Sequence, residues 1–374
     1  MVTRRAEASV EELQALRSED LALPWLAGPL QQALSQHRGH ALLIIGHAGA
    51  GALELALGVS QAWLCEASAV NGEAGSAAPA ASRPCGHCGS CRLFLAHTHP
   101  DFRLRVPEAL AVVRGWPVEL DEKRKPSRQI RIEAVRQAIE WMTTTSGRGR
   151  GKVLALNPAE ALNPASASAL LKTLEEPPAG ARLVLTTADP GLLMPTILSR
   201  CQMLRLPPPS RDVAMAWLRA QGVADAELLL DGAGGMPLTA RQWSAEGISG
   251  TTWASIPRAV AQGDATALAG WPIPRVVDAL QKLCHDAGAL QAGGRARFYP
   301  PQQVPTGASL ERLAQWYKAL VRVMRHAEHP LSEPLLIESL VAEGQAVWER
   351  PANGGAPRSS GAQARPGPPR DREA

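Results

Sequence analysis

The chain has 374 residues, of which 45% are hydrophobic and 20% charged, and its formal net charge is +4. This length allows about two or three domains with ordinary packed cores, and the small positive charge does not indicate a histone-like nucleic-acid binder. No apolar run approaches the roughly 18 to 20 residues that cross a bilayer, and residues 1–12 lack the apolar core of a secretory signal. We therefore expect a cytoplasmic protein without a membrane segment, in which the six cysteines do not form disulfides.

The first part of the chain alternates between short apolar runs and segments with helical periodicity. The predicted strands are 41–45, 101–106, 153–156, 182–187 and 201–206, and the predicted helices are 53–64, 132–142, 165–176 and 192–198. Strands that alternate with helices are typical of an α/β domain built on a parallel sheet.

Three prolines at 207–209 mark a boundary, after which the sequence predicts no strand. Short helices are predicted at 213–220 and 226–230, and longer helices such as 276–284 and 310–324 follow. The predicted fold class is therefore α/β plus all-α. The segment from residue 352 onward is rich in Pro, Gly, Ser and Arg, and we expect it to be disordered.

A glycine-rich turn follows the first strand, at the position of a phosphate-binding P-loop. Gly46, Gly49 and Gly51 provide the glycine framework, but Ala52 and Leu53 replace the Lys and the Ser or Thr of the motif. The charge that would neutralise the β/γ-phosphates and the hydroxyl that would hold Mg²⁺ are both missing. A plain glycine turn is the alternative interpretation of this loop.

The second half of an ATPase site is also missing. A Walker B strand ends in Asp-Glu, whereas the strand predicted at 153–156 is followed by Asn157 and Pro158. We therefore predict an ATPase fold without ATPase chemistry, and do not expect ATP as a cofactor. The alternative is an active NTPase with an unusual P-loop.

Four cysteines have the spacing of a zinc site. Cys85, Cys88 and Cys91 are separated by two residues each, and Cys65 lies upstream. Four thiolates leave no open position on a tetrahedral ion, so the predicted Zn²⁺ site is structural. The histidines that could replace a cysteine ligand are His87, His97 and His99. Chance clustering of buried thiols is the alternative.

These features, together with three further motifs, resemble a known family. The motifs are Thr-His-Pro-Asp at 98–101, Ala-Leu-Leu-Lys-Thr-Leu-Glu-Glu-Pro-Pro at 169–178, and Ser199-Arg200-Cys201. Together they are similar to the delta-prime subunits of bacterial DNA polymerase III clamp loaders, which are AAA+ proteins. The strong similarity covers about residues 20–210.

The resemblance implies four parts. They are a RecA-like AAA+ base at 1–207 with a zinc-binding insertion at about 65–91, a helical lid at 208–248, a helical collar at 249–348 for oligomerisation, and a disordered tail at 349–374. The lid of active loaders carries a Gly-Ser-x-Arg sensor. The matching residues 234–238 contain no Arg, which agrees with the missing ATPase motifs.

The resemblance also implies a function. The chain would act as the stator of a complex that opens the sliding clamp and loads it onto primer-template DNA. It would have no catalytic site of its own, although it would belong to the polymerase III holoenzyme, a nucleotidyltransferase. Arg200, flanked by Ser199 and Cys201, would be a trans-acting arginine finger for a neighbouring ATPase subunit. The implied partners are the gamma/tau and delta subunits, with the clamp and the DNA reached through the complex.

A different class of function is a zinc-containing DNA-binding module on a degenerate NTPase fold. The basic residues that could support it are Lys123, Arg124, Lys125, Arg128, Arg148 and Arg150. No set of aromatic residues for base stacking is interleaved with them.

Overall fold

The computed structural model describes residues 23–67, 83–116, 118, 125–325 and 332–349. The chain divides into two compact units, Met1–Gly250 and Thr251–Ala374. Of the predicted disordered tail at 349–374, residues 350–374 lie outside the described residues, as do Lys123 and Arg124 of the basic set. The division into base, lid and collar stays a prediction.

The first unit contains a five-stranded sheet with the order β2-β3-β4-β1-β5. Its strands are β1 Ala41–Ile45, β2 Phe102–Arg105, β3 Lys152–Leu156, β4 Ala181–Thr187 and β5 Gln202–Arg205. All neighbouring pairs are parallel. Every residue of β1 and β3 is buried, because helices cover both faces of the sheet.

Ten helices accompany the sheet in the described part of this unit. They are α1 Ala27–Gln36, α2 Ala52–Leu64, α3 Gly89–Leu95, α4 Glu108–Val113, α5 Ile132–Thr143, α6 Pro164–Glu175, α7 Pro195–Leu198, α8 Arg211–Ala220, α9 Ala226–Gly232 and α10 Pro237–Ala245. Two apolar clusters form the core, one on each face of the sheet. The cluster with α5 and α6 contains Leu170 and Leu154, and the cluster with α1 and α2 contains Leu57 and Ile44.

The predicted helix at 192–198 is wrong in its extent. The structure has a 3-10 turn at Pro190–Leu192 and a separate four-residue helix, α7, at Pro195–Leu198. Met194 is extended, with ψ 132°, because a residue before proline is pushed out of the helical region. Pro195 therefore sets the start of the short helix that precedes Arg200.

The second unit is helical in its described residues. Its helices are α11 Gly250–Ala261, of which only the first residue belongs to the first unit, α12 Ile273–Gln291, α13 Leu310–Arg325 and α14 Glu333–Gln345. The predicted fold class, α/β plus all-α, is thus confirmed. None of the helices in the described residues is long and apolar enough to span a membrane.

A buried carboxylate organises the loop after α12. Asp286 is fully buried and accepts hydrogen bonds of 2.8 Å from the backbone N–H groups of Arg297, Phe298 and Tyr299. The loop thereby brings the ring of Tyr299 parallel to Trp253, with 4.8 Å between the ring centroids. One side chain on α12 thus fixes both the loop backbone and an aromatic stack.

Replacing Asp286 with Asn tests this arrangement. The amide would direct its own N–H groups at backbone donors, so we expect the free energy of unfolding to fall by about 2–4 kcal/mol. Hydrogen exchange at residues 297–299 should accelerate, as measured by mass spectrometry. Asp278→Asn is the control, because Asp278 is half-exposed in an ion pair with Lys282, and we expect it to change stability by less than about 1 kcal/mol. Unchanged exchange in Asp286→Asn would contradict the assignment.

Candidate functional site

The degenerate P-loop lies at the carboxyl edge of the sheet, between β1 and α2. Gly49 has φ +84° and Gly51 has φ +101°, conformations that favour glycine. The N–H of Gly46 donates to the Thr187 carbonyl at 3.0 Å, which ties the start of the loop to β4. The strand, glycine turn and helix of a P-loop are therefore present.

The two residues that depart from the motif are part of the packed structure. Ala52 is the first residue of α2. Leu53, which stands where a P-loop has its hydroxyl, is only 6% exposed and belongs to the apolar cluster on that face. The position that would hold Mg²⁺ is thus occupied by a core side chain.

Other parts of the first unit pack directly against the loop. The indole N–H of Trp25 donates to the Ala50 carbonyl at 2.8 Å, and the N–H of Leu238 donates to the Gly49 carbonyl at 3.3 Å. A Cβ atom on Gly49 would come within 2.1 Å of the Thr239 hydroxyl oxygen. The start of α10 therefore sits against the face of the loop, in a contact that only glycine allows.

The end of β3 is also occupied by internal contacts. Asn157 is buried, and its side-chain oxygen accepts a hydrogen bond of 2.6 Å from the Thr186 hydroxyl. Glu160 accepts from the N–H of Ala188 at 3.0 Å through Oε1. Glu160 Oε2 and the Thr187 hydroxyl have no hydrogen-bond partner among the described residues. The sequence alone does not single out Thr186, Thr187 or Glu160, because only the sheet order places β4 between β1 and β3.

The four cysteines predicted to bind zinc come together. The four sulfur atoms lie within 4.8 Å of one another, with 4.0 Å between Cys65 and Cys88 and 3.9 Å between Cys85 and Cys91. Four sulfurs at about 2.3 Å from one tetrahedral ion would be about 3.8 Å apart. None of the four is in a disulfide. The donor set therefore fits Zn²⁺.

Backbone and burial both affect these thiols. Burial alone would raise the pKa of Cys88, but hydrogen bonds from the Cys91 and Glu66 backbone outweigh it and lower the pKa to about 6. Burial raises the pKa of Cys65 and of Cys91. Two buried thiols that resist ionisation need a cation nearby to be thiolates, and a metal ion supplies one.

The Thr-His-Pro-Asp motif connects the cysteine cluster to the sheet. The Asp101 carboxylate accepts from the N–H groups of Gly147 at 2.7 Å and Arg148 at 2.8 Å. The N–H of Asp101 donates to His99 Nδ1 at 3.0 Å, and His99 Nε2 lies 2.7 Å from the Ser90 hydroxyl. Nδ1 is thus an acceptor, so the ring of His99 donates from Nε2. Together, these hydrogen bonds hold α3 against the turn before β3.

Two of the basic residues considered for DNA binding make contacts beside the cysteine cluster. Arg148 forms an ion pair of 2.7 Å with Glu66, and Arg150 donates to the Cys65 carbonyl at 2.9 Å. A Cβ atom on Gly89 would lie 2.9 Å from the Arg148 guanidinium, so glycine is favoured there. These contacts account for Arg148 and Arg150 without nucleic acid.

Arg200 lies between α7 and β5 and is partly exposed, with 32% of its side-chain surface accessible. Its Nη1 donates to the Thr196 carbonyl at 2.9 Å and to the Ser199 hydroxyl at 3.1 Å. Its Nη2 donates to Glu175 at 2.5 Å. Cys201 packs against the core, and burial raises the pKa of its thiol to about 12.

Arg200 and the degenerate P-loop lie at opposite ends of the sheet. The pairing of β5 with β1 aligns Gln202 with Leu42 and Arg205 with Ile45. Arg200 therefore precedes the strand, at the amino edge, whereas the P-loop follows β1 at the carboxyl edge. Four residues of strand correspond to roughly 13 Å.

Comparison with known proteins finds a family that resembles the first part of this chain. The family model described as DNA polymerase III, delta subunit, matches residues 26–210. The match spans 185 of the 374 residues, just under half of the chain, so it shows a similarity to this family over that part. The match covers both the cysteine cluster and Arg200, and the resemblance inferred from the motifs is confirmed.

Several relatives are DNA polymerase III subunits delta-prime. That of Pseudomonas aeruginosa is 36% identical over 231 residues, which cover 59% of this chain and 62% of the relative. That of Escherichia coli K12 is 32% identical over 55% of each chain. Escherichia coli subunit tau is 29% identical over 60% of this chain and 30% of its own length. The matches thus span less than two thirds of these relatives.

Among solved structures, a DNA polymerase III gamma subunit-related protein from Thermotoga maritima aligns with a TM-score of 0.44 and 14% identity. The alignment covers 86% of this chain and 99% of that protein.

The metal site can be tested by composition. We expect purified protein to contain one Zn²⁺ per chain, measured by atomic emission. Cys85→Ser should lose the metal and accelerate hydrogen exchange in residues 83–95 while the sheet stays protected, because metal binding supplies local folding energy. Cys201→Ser is the control, since it removes a thiol outside the cluster, and it should keep its zinc. Wild-type protein with well under one zinc per chain would contradict the site.

Proposed function

We propose that this chain is a delta-prime-type subunit of a clamp loader, which hydrolyses no ATP itself and supplies Arg200 to the nucleotide of a neighbouring subunit. The observation that carries the proposal is the position of Arg200 at the sheet edge opposite its own P-loop. From there the guanidinium is remote from any phosphate held by its own chain. A role in phosphoryl transfer therefore requires a nucleotide bound by another chain.

The chemistry of arginine suits this role. A guanidinium stays charged at all physiological pH values and donates from a planar fork that matches phosphate oxygens. Arg200 is exposed enough to meet a partner, yet three hydrogen bonds hold it. The charge would stabilise the transition state of hydrolysis in the adjacent site, while proton transfer and metal binding would be left to that subunit.

The state of the chain's own P-loop supports the absence of hydrolysis. Catalysis needs a cation on the β/γ-phosphates and a carboxylate for metal and water. Ala52 and Asn157 occupy the corresponding positions, and Leu53 is part of the core. The contact between Gly49 and Thr239 further brings α10 onto the loop face.

Cys65, Cys85, Cys88 and Cys91 would hold a structural Zn²⁺, which would cross-link the segment after α2 to α3. The partners would be gamma/tau and delta subunits, a sliding clamp and primer-template DNA. The similarity to both delta-prime and tau subunits supports this assembly.

Restoring the lysine alone should not restore catalysis. We expect Ala52→Lys to show no ATP turnover by the isolated chain, because Asn157 still supplies no carboxylate. A phosphate-release assay with the wild-type chain as control tests this expectation. Turnover by either clean protein would refute the proposal that the chain is not an ATPase.

Removing the guanidinium should affect the complex and leave the subunit intact. Arg200→Ala should leave folding, zinc content and assembly unchanged, and should lower the DNA- and clamp-stimulated ATPase rate of the reconstituted loader by about 10³-fold or more at the site it serves. Arg211→Ala is the matched control, since Arg211 is also an exposed Arg in ion pairs, with Asp231 and Glu227. Normal ATPase in Arg200→Ala would show that Arg200 has no trans role.

A further inference from the structure

We propose that Glu175 is a positioning residue, which orients the Arg200 guanidinium for the nucleotide of the neighbouring subunit. This inference rests on the trans role proposed above. Glu175 is the last residue of α6, within the Leu-Glu-Glu-Pro-Pro run, and Arg200 follows α7. The ion pair of 2.5 Å therefore joins two of the motifs that carry the family resemblance, although 25 residues separate them in the chain.

The location of Glu175 is unfavourable unless a cation is near. A helix C-terminus carries partial negative charge, so a carboxylate in the last turn is repelled by the helix. Arg200 also donates a hydrogen bond to the backbone carbonyl of Thr196, which is a residue of α7. The guanidinium thus compensates a carboxylate and a helix end together, which fixes it from two sides.

The hydrogen bonds leave part of the guanidinium available. An arginine has five N–H donors. Two hydrogens on Nη1 bind Thr196 and Ser199, and one on Nη2 binds Glu175. The Nε–H and the second Nη2 hydrogen are not used by these three partners, so two donors can meet phosphate oxygens while the other three stay bound.

Glu175 could compete with a phosphate for the Arg200 guanidinium, but the benefit of holding the guanidinium in place is larger. Glu175 has 49% of its side-chain surface exposed, so solvent screens its repulsion of a phosphate. A free arginine side chain, in contrast, loses much rotamer freedom when it docks, and holding it in advance avoids that loss.

The test measures ATP turnover of the loader reconstituted with each variant. We expect Glu175→Ala to reduce the rate about three- to tenfold, and Glu175→Gln, whose amide oxygen can still accept from Nη2, to stay within about twofold of wild type. Glu176→Ala is the matched control: it removes the adjacent carboxylate, which is not a partner of Arg200. The double variant Glu175→Ala/Arg200→Ala should be no slower than Arg200→Ala, since Glu175 acts only through Arg200.

The following outcomes would contradict the positioning role of Glu175, and they distinguish it from the trans role of Arg200. If Arg200→Ala is slow but Glu175→Ala is normal, the positioning role is wrong and the trans role stands. If Arg200→Ala is normal, both are wrong. Faster turnover in Glu175→Ala and Glu175→Gln would show that the carboxylate competes with the phosphate, which overturns positioning. A double variant slower than Arg200→Ala would also overturn it, because Glu175 would then act by another route.

Discussion

The pairing of β1 with both β4 and β5 determines where everything else in the first unit lies. All five residues of β1 are buried and pair with β4, and the last four of them also pair with β5. Its register with β5 sends Arg200 to one edge of the sheet and the glycine turn to the other. Its register with β4 puts Thr186 and Thr187 beside that turn. Without this central strand, neither the loss of the local site nor the proposed use of Arg200 in another chain would have a geometric basis.

The cysteine cluster is attached to the sheet by polar contacts as well as by the packing of Phe94 on α3 against Phe102 of β2. Asp101 accepts a hydrogen bond from the backbone of the turn before β3. His99, two residues earlier in the chain, is hydrogen-bonded to Ser90 on α3. Ser90 in turn donates to the Leu64 carbonyl at the end of α2. These hydrogen bonds satisfy groups that would be costly to bury alone. A metal ion on the four sulfurs would thus reinforce an attachment that the polypeptide already makes.

Much of the sheet could be predicted, since a short apolar run that ends at a glycine turn, such as 41–45 in β1, is typical of a buried strand. The cysteine cluster followed from spacing alone. Helix α1 was not predicted: Leu30, Ala33 and Leu34 have helical spacing, but Gly and Pro at 28–29 in its first turn are typical of a loop. The partner of Arg200 was also missed. Glu175 is 25 residues away, and nothing local indicates that the ends of α6 and α7 meet.

The burial of Leu53 makes the loss of a Walker motif difficult to reverse. A fully buried leucine stabilises a protein by about 1.5–3 kcal/mol relative to an exposed one. Returning a hydroxyl to that position would remove part of this stabilisation before any catalytic benefit appeared, because a carboxylate at Asn157 and a lysine at Ala52 would still be required. Each single step back is therefore either neutral or harmful to folding. A complete Walker site would therefore need changes at Ala52, Leu53 and Asn157 together, and one of these three side chains belongs to the core.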